Sequence, residues 1–494
     1  EASGGSGSAQ ASWTKDITIE EPFTPTFTLN DHIFGQVSIS SDLARPVSID
    51  LTTEESVRET PDSQSGDIST DVSIASLQED VPEGCGGIQS FLEDWNTRAR
   101  GRAEQELEEG LARYAAYRQK DSNDFSIYLT SWISLQIGRA DTQLFSCIEE
   151  VYRYNREYEA DFYEIHGKTI NSKTGEALTL HNFFTDMDAL CEKAGEMLLL
   201  SGMLPQNKQA QEALGGYLKE AIEGCRDDGS FAWMATPEGI EFHMIIINPG
   251  NEAERHYNLE FFLPFAVCKD FLSQDTTMVS YPYLQFVTSP YASLIIGKEV
   301  PAASDGSGYY QLYLGSTNGH KYLYGNNDEH TDIYKTDSDT LYLMGSILGE
   351  IAPVEYTYDR AYTPLDPQSI GVRCLVQLEQ ELFLEGIVRM MENGMLERIG
   401  LFELTGNGQP ITTAIDLEAE IFPNETATES AKKTLPMHSS LAIIRSDGET
   451  FIDCQNWDSG EVIRLYITGS EESGWLINGL PKDEVVAHEG FWEE

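Results

Sequence analysis

From Leu144 to Phe184 the chain alternates as strands do, turns at Lys173-Thr174-Gly175 and then feeds a helix. No other feature constrains the fold as much. A repeat of two suits a half-buried strand and a repeat of 3.6 suits an amphipathic helix. A segment that changes from one to the other implies a sheet with helices packed on it.

The flanking segments extend this pattern. A helix is expected from about Gly87 to Lys120, where Ile88, Phe91, Leu92, Trp95, Leu107, Leu111 and Tyr114 form an apolar stripe. Phe125 to Ile137 and Thr142 to Tyr154 read as a hairpin around Gly138-Arg139-Ala140-Asp141. If its second strand continues, Tyr152, Tyr154, Tyr158 and Phe162 share one face, and Arg153, Asn155, Glu157, Glu159 and Asp161 the other. Thr185, with Asp188 three residues on, marks a helix start, and Ala210 to Cys225 shows a second clean helical stripe. Phe231 to Met234 and Ile240 to Ile247 then read as strands turning at Pro237-Glu238-Gly239. At the other end, Asp16 to Leu51 is strand-like, and Thr52 to Glu83, rich in Ser, Asp, Glu and Thr, reads as a long acidic loop.

Beyond Met278 the helical stripes give way to short strands separated by Gly, Asn and Asp turns. The fold class expected is an α+β domain over residues 13–275, an antiparallel β sandwich or barrel over 276–430, and a small SH3-like barrel over 431–494. Residues 1–12 read as a flexible spacer, of the kind that follows a removed signal or lipid-anchor segment, although a boundary cut for other reasons would look alike.

Acidic residues outnumber basic ones by 82 to 32, for a net charge of −50. Such a chain repels phosphate backbones and anionic lipid, so neither nucleic acid nor a membrane surface is an expected partner. No apolar run approaches the ~18 residues of a membrane span. The seven cysteines are widely spaced and form no C-x-x-C pair, so neither a zinc cluster nor a dense disulfide framework is indicated.

The segment Thr169-Ile170-Asn171-Ser172-Lys173-Thr174-Gly175-Glu176-Ala177-Leu178-Thr179-Leu180-His181-Asn182-Phe183-Phe184 resembles the N-x-x-T-G-x-x-L-T-L-x-D-L-F signature of a bacterial extracytoplasmic domain family of unknown function. That family occurs in lysozyme-binding anti-sigma-factor ectodomains and in accessory domains of peptidoglycan deacetylases. Phe145 to Tyr154 and Pro237 to Phe242 also fit its layout. Where the family carries Gly-Gly-Ala-His this chain has Asn155-Arg156-Glu157-Tyr158, so the role of that element is not carried over. The resemblance implies an extracellular address at a bacterial cell surface, with a cationic protein such as lysozyme, or a cell-wall glycan, as partner.

Candidate chemistry is sparse. As a recognition surface the hairpin would use Tyr152, Tyr154, Asn155, Arg156, Glu157, Tyr158 and Glu159. Asp328, His330 and Asp332 alternate, so one strand face would offer two carboxylates and an imidazole to a divalent metal, and Asn326 to Glu329 would suit calcium; an ordinary acidic turn explains them equally. Glu157, Glu159 and Asp161 have the spacing of a glycosidase carboxylate pair, ~5–9 Å, but a solvated strand face accounts for them without a pocket. Cys454 with His438 or His488 sits in no nucleophile motif. The many tyrosines between Tyr281 and Tyr362 offer flat contact area for sugars or proteins, or are simply good strand residues.

Taken together these features favour a non-enzymatic surface or secreted binding or sensing protein with no required cofactor. The alternatives are an enzyme or enzyme accessory acting on peptidoglycan or polysaccharide, and a plain structural spacer.

Overall fold

A computed structural model describes residues 26–29, 32–36, 44–59, 67–78, 83–120, 129–155, 162–202, 208–224, 229–246, 257–273, 279, 281–302, 309, 311–327, 330–337, 340–352, 364–377, 381–404, 410–470 and 474–487. Strands β1 (Thr26–Leu29) and β2 (His32–Gln36) form a small hairpin. A five-stranded sheet follows, in the order β3 (Ile49–Glu59), β4 (Asp67–Leu77), β5 (Leu129–Ala140), β6 (Leu144–Asn155) and β7 (Phe162–Asn171). Only β4 and β5 of this sheet run parallel, joined across its face by α1 (Gly86–Lys120), because a parallel neighbour needs a crossover long enough to return the chain to the same end.

The stripe read for α1 is the buried one: Ile88, Leu92, Trp95, Leu107 and Tyr114 are all under 5% exposed. Two polar side chains also anchor it. Trp95 Nε1–H donates to Ser73 O (3.0 Å), and Asn96 bonds both the amide and the carbonyl of Ala75 (2.9 and 2.8 Å).

The expected acidic loop over 52–83 is instead most of the β3–β4 hairpin, two strands of 11 residues each. Ile68, Thr70 and Val72 alternate into the interior. Placing β4 between two neighbours with α1 above it lets these β-branched residues outweigh the acidic ones around them. Likewise, the strand expected to run on through Asp161 ends at Asn155, and β7 returns antiparallel with Phe162 opposite Arg153.

The next layer holds α2 (Leu180–Phe183), α3 (Met187–Leu200), α4 (Lys208–Gly224) and the sheet β8 (Phe231–Ala235), β9 (Gly239–Ile246) and β10 (Tyr257–Pro264), with β9 central. The cap of α3 is Asp186, whose carboxylate accepts from Ala189 N (3.0 Å), one residue after the expected Thr185. Leu190, Ala194, Leu218, Ile222, Ile240, Phe242 and Phe261 fill this core.

Strand β11 (Tyr283–Val287) lies in a six-stranded sheet with β12 (Gln311–Thr317), β13 (His320–Asn326), β14 (His330–Lys335), β15 (Tyr342–Leu348) and β17 (Pro364–Leu365). Helix α5 (Ser289–Ile296) sends Tyr291 back into the core of α3 and β10, where its hydroxyl donates to Met197 O (3.2 Å). The 275/276 division is therefore bridged by a shared core. Tyr283, Tyr313, Tyr322, Tyr324 and Tyr334 are 5% exposed or less, so these tyrosines pack the interior and do not form a contact surface.

A twelve-stranded sheet completes the fold: β16 (Glu350–Ile351), β18 (Ile370–Gln377), β19 (Glu381–Met390), β20 (Leu396–Leu404), β21 (Ile411–Thr412), β22 (Leu417–Phe422), β23 (Ala431–Leu435), β24 (Ser440–Ser446), β25 (Phe451–Asn456), β26 (Val462–Ser470), β27 (Gly474–Ile477) and β28 (Leu480–Pro481), followed by the short α6 (Lys482–Val485). Ile411, Leu417 and Ile421 share one core with Leu441, Cys454 and Ile463. The C-terminal core thus begins near Ile411, before the expected 430/431 division, and β20 pairs with β24 across that division. The architecture is α+β at the N-terminal end and mostly β beyond it, with α5 and α6 as its described helices.

Candidate functional site

The resemblance segment serves first as a clamp. Asn171 Oδ1 accepts from the amides of Lys173 and Thr174 (3.0 Å each), closing the turn. Gly175 sits at φ +73°, and a Cβ on Gly87 would come within 2.4 Å of its nitrogen. Ser172 O accepts from Gly87 N (2.8 Å), so the turn ties down the start of α1. Leu180, Phe183 and Phe184 then plug the core. The motif builds the domain.

Of the predicted binding residues, Tyr152 is the one whose side-chain surroundings are described. Tyr154 and Asn155 complete β6, and Arg156, Glu157, Tyr158 and Glu159 lie outside the described residues, as does Asp161. Tyr152 stacks on Trp132 (centroids 5.3 Å apart, 23° between planes) and meets Tyr163 edge-on at 6.0 Å. The strand register makes this a continuous row. Glu55 lies opposite Asp71, Asp71 opposite Trp132, Trp132 opposite Tyr152, and Tyr152 opposite Tyr163. One residue from each of five strands thus lines up on the face turned away from α1.

The row is held in place from its side on the same face. Glu150, 2% exposed, accepts from Tyr163 OH (2.6 Å) and Gln136 Nε2 (2.9 Å). Trp132 hydrogen-bonds Asp71, yet burial, reinforced by the Glu55 charge, raises the Asp71 carboxyl above its ordinary range. Three half-buried aromatics beside two carboxylates give this part of the face an aromatic and negative character.

The other face of the sheet forms an open pocket of about 330 Å³ beside α1, lined among others by Trp95, Arg98, Arg102, Glu149, Glu164 and His166. Its charges are used pairwise. Arg98 grips Glu149 with two bonds (2.9 and 2.8 Å), which raises the guanidinium's pKa. Arg102 reaches Glu164 (3.3 Å), and His166 Nε2 lies 2.9 Å from Glu164. Beyond it, Glu106, with no exposed side-chain surface, pairs with Arg153 and Arg102.

For the predicted metal trio, Asp328 lies outside the described residues. Asp332 is fully buried and accepts from Tyr309 OH (2.7 Å) and Ser346 Oγ (2.5 Å), with His330 Nε2 at 3.2 Å. Its oxygens are engaged by side chains of this strand and its neighbourhood. Among the described residues a metal-ligand spacing is met instead by Glu241, His243 and Glu260, one donor atom from each lying within 4.8 Å of the others. Cys454 is fully buried, and burial pushes its thiol far above the range in which it ionises. It is a core residue; His488, offered as its base, lies outside the described residues.

No family model and no curated protein matches this chain. Among solved structures it is similar to a DUF3298 family member from Bacteroides fragilis, at 12% identity and a TM-score of 0.32, covering 46% of this chain and 94% of that one. A DUF3298 family protein from Pseudomonas aeruginosa PAO1 is similar at 11% identity and a TM-score of 0.26, covering 47% of this chain and 98% of that one. The structural neighbours are thus bacterial proteins of a domain family of unknown function.

Proposed function

We propose that this is a binding or sensing protein of the bacterial cell surface, and that the row Glu55–Asp71–Trp132–Tyr152–Tyr163 recognises a cationic protein partner, with lysozyme as the model ligand. The observation that carries this reading is the row itself: an aromatic platform ending in two carboxylates, one residue per strand, on a rigid sheet. Lysine or arginine side chains laid across it would rest their aliphatic stems on the aromatic stack and carry their charges to the carboxylates. The net charge of −50 adds a long-range field that speeds capture of a basic partner.

The test is binding of the full chain to lysozyme and to other basic proteins at rising ionic strength. Affinity should fall steeply as salt passes ~0.1 M, where the screening length is about 10 Å, and Trp132→Ala should abolish most of it. Salt-independent binding, or binding unaffected by Trp132→Ala and Tyr152→Ala together, would sink the proposal. The Trp132–Tyr152 stack also supports a second reading, a cell-wall glycan lying on the rings. That reading requires retention on peptidoglycan that is insensitive to salt but lost in Trp132→Ala.

A further inference from the structure

We infer that Glu241, His243 and Glu260 form a binding site for a divalent transition-metal ion, with Zn²⁺ as the best match. Two antiparallel strands build it. Glu241 and His243 lie two residues apart on β9 and share a face, and Glu260 on β10 is the direct cross-strand partner of His243. Glu241 and His243 are 0% exposed, while the Glu260 side chain is 31% exposed and forms the outer side of the group.

The geometry separates the two ring nitrogens. His243 Nε2 lies 2.7 Å from Glu241 Oε1, a contact that calls for a proton on Nε2; in the neutral ring with that tautomer the lone pair is on Nδ1. Nδ1 is buried and has no hydrogen-bond partner among the described residues. A buried nitrogen in that state costs free energy unless something binds its lone pair. The nearest carboxylate oxygen recorded for it, Glu260 Oε1, is 3.7 Å away. That is too far for a hydrogen bond and close to the roughly 3.3–3.6 Å that separates two ligands of one tetrahedral zinc ion.

A carboxylate on one imidazole nitrogen and a metal on the other is the usual support for a histidine ligand. Here Glu241 would orient the ring, His243 Nδ1 and Glu260 would ligate, and water would complete the shell on the exposed side. An imidazole with carboxylate oxygens favours zinc and its neighbours over calcium or magnesium, which take oxygen alone. Ala232 and Met234, opposite His243 and Glu241 on β8, pack with Ile148, Ile165 and Ile245 and keep the surroundings apolar, which strengthens attraction for a cation. The site lies on a different sheet from the aromatic row, although Tyr163 of that row packs against the same apolar cluster; metal content and ligand identity are read without any partner, so they test the site separately from the binding proposal.

The experiment uses the full chain without a histidine tag, stripped with a chelator and titrated with Zn²⁺, with Ca²⁺ and Mg²⁺ as controls. We expect one tightly bound zinc per chain, a rise in melting temperature reversed by chelator, and X-ray absorption showing one imidazole among oxygen ligands. Glu260→Gln, near the surface and close in shape, should lose tight binding, and Glu241→Gln should weaken it by about 10–100-fold. Should His243→Ala fail to fold, Glu260→Gln and the absorption spectrum of the wild type decide the matter. A spectrum without imidazole, or equal zinc affinity in wild type and Glu260→Gln, would overturn the site.

Discussion

The two faces of the five-stranded sheet carry acidic residues under opposite conditions. On the α1 face, Glu54 is held by two bonds from Arg100 (2.9 and 2.7 Å), which lower its carboxyl below the ordinary range. On the far face, Asp71 is raised by burial and by its neighbour Glu55. One face spends its arginines on its carboxylates. The other keeps carboxylates beside aromatic rings, with Glu150 next to them on the same face accepting from neutral donors. Matched charge locks a helix onto a sheet, whereas the acids beside aromatic rings are the ones proposed to meet a cation from outside.

The comparison breaks most visibly at Glu106. Replacing it with Ala leaves Arg153 and Arg102 without the buried carboxylate between them, an expected loss of about 3–5 kcal/mol for the N-terminal unit. Denaturant unfolding followed by tryptophan fluorescence would show it, and Glu106→Leu combined with Arg153→Met should recover most of the loss. Full stability in Glu106→Ala would mean that α1 is not held by matched charge. On the far face the largest effect should fall on binding. Trp132→Ala removes the centre of the row and should weaken a cationic partner by about 2 kcal/mol, a factor of about 30, while leaving the Glu106 network intact.

Much of this fold was legible. The α1 stripe, the β5–β6 hairpin, the α4 period and the Lys173-Thr174-Gly175 turn all follow from local spacing. The β3–β4 hairpin was not read, because Glu54, Glu55 and Asp71 gave its strands the composition of a loop, although Ile68, Thr70 and Val72 carried the alternation. The tyrosines admit both a contact surface and ordinary strand packing: Tyr313, Tyr322 and Tyr324 lie in the core, and only packing distinguishes the two. Of the row, the strand pattern of the sequence points to Tyr152 alone. Trp132 and Asp71 join it through the parallel β4–β5 register, which local periodicity does not specify. The Glu241–His243 spacing is visible in the chain, but Glu260 becomes their partner only through the pairing of β9 with β10.

The smallest effects test the comparison most finely, because the two faces should respond to acid with opposite signs. Asp71 has a raised folded-state pKa, so its folded carboxyl holds its proton more tightly than the unfolded one does. It therefore contributes stability as pH falls toward the unfolded value and loses that contribution as pH rises through the folded one. Asp71→Asn should remove that gain on mild acidification. In the wild type, binding of a cationic partner should begin to fail above the ordinary carboxylate range as Asp71 takes up its proton, and in Asp71→Asn that early loss should disappear. Glu54 behaves the other way: its contribution is present above the unfolded pKa and lost as pH falls through the lowered one. Both partners of that pair are about half exposed, with side-chain exposures of 49% for Glu54 and 53% for Arg100, and solvent screens most of their attraction. Arg100→Ala should therefore leave the unfolding midpoint at neutral pH unchanged within error and remove only a shallow step on the acid side. A clear loss of stability at neutral pH would place α1 docking at the rim of the helix instead of the buried Glu106 network.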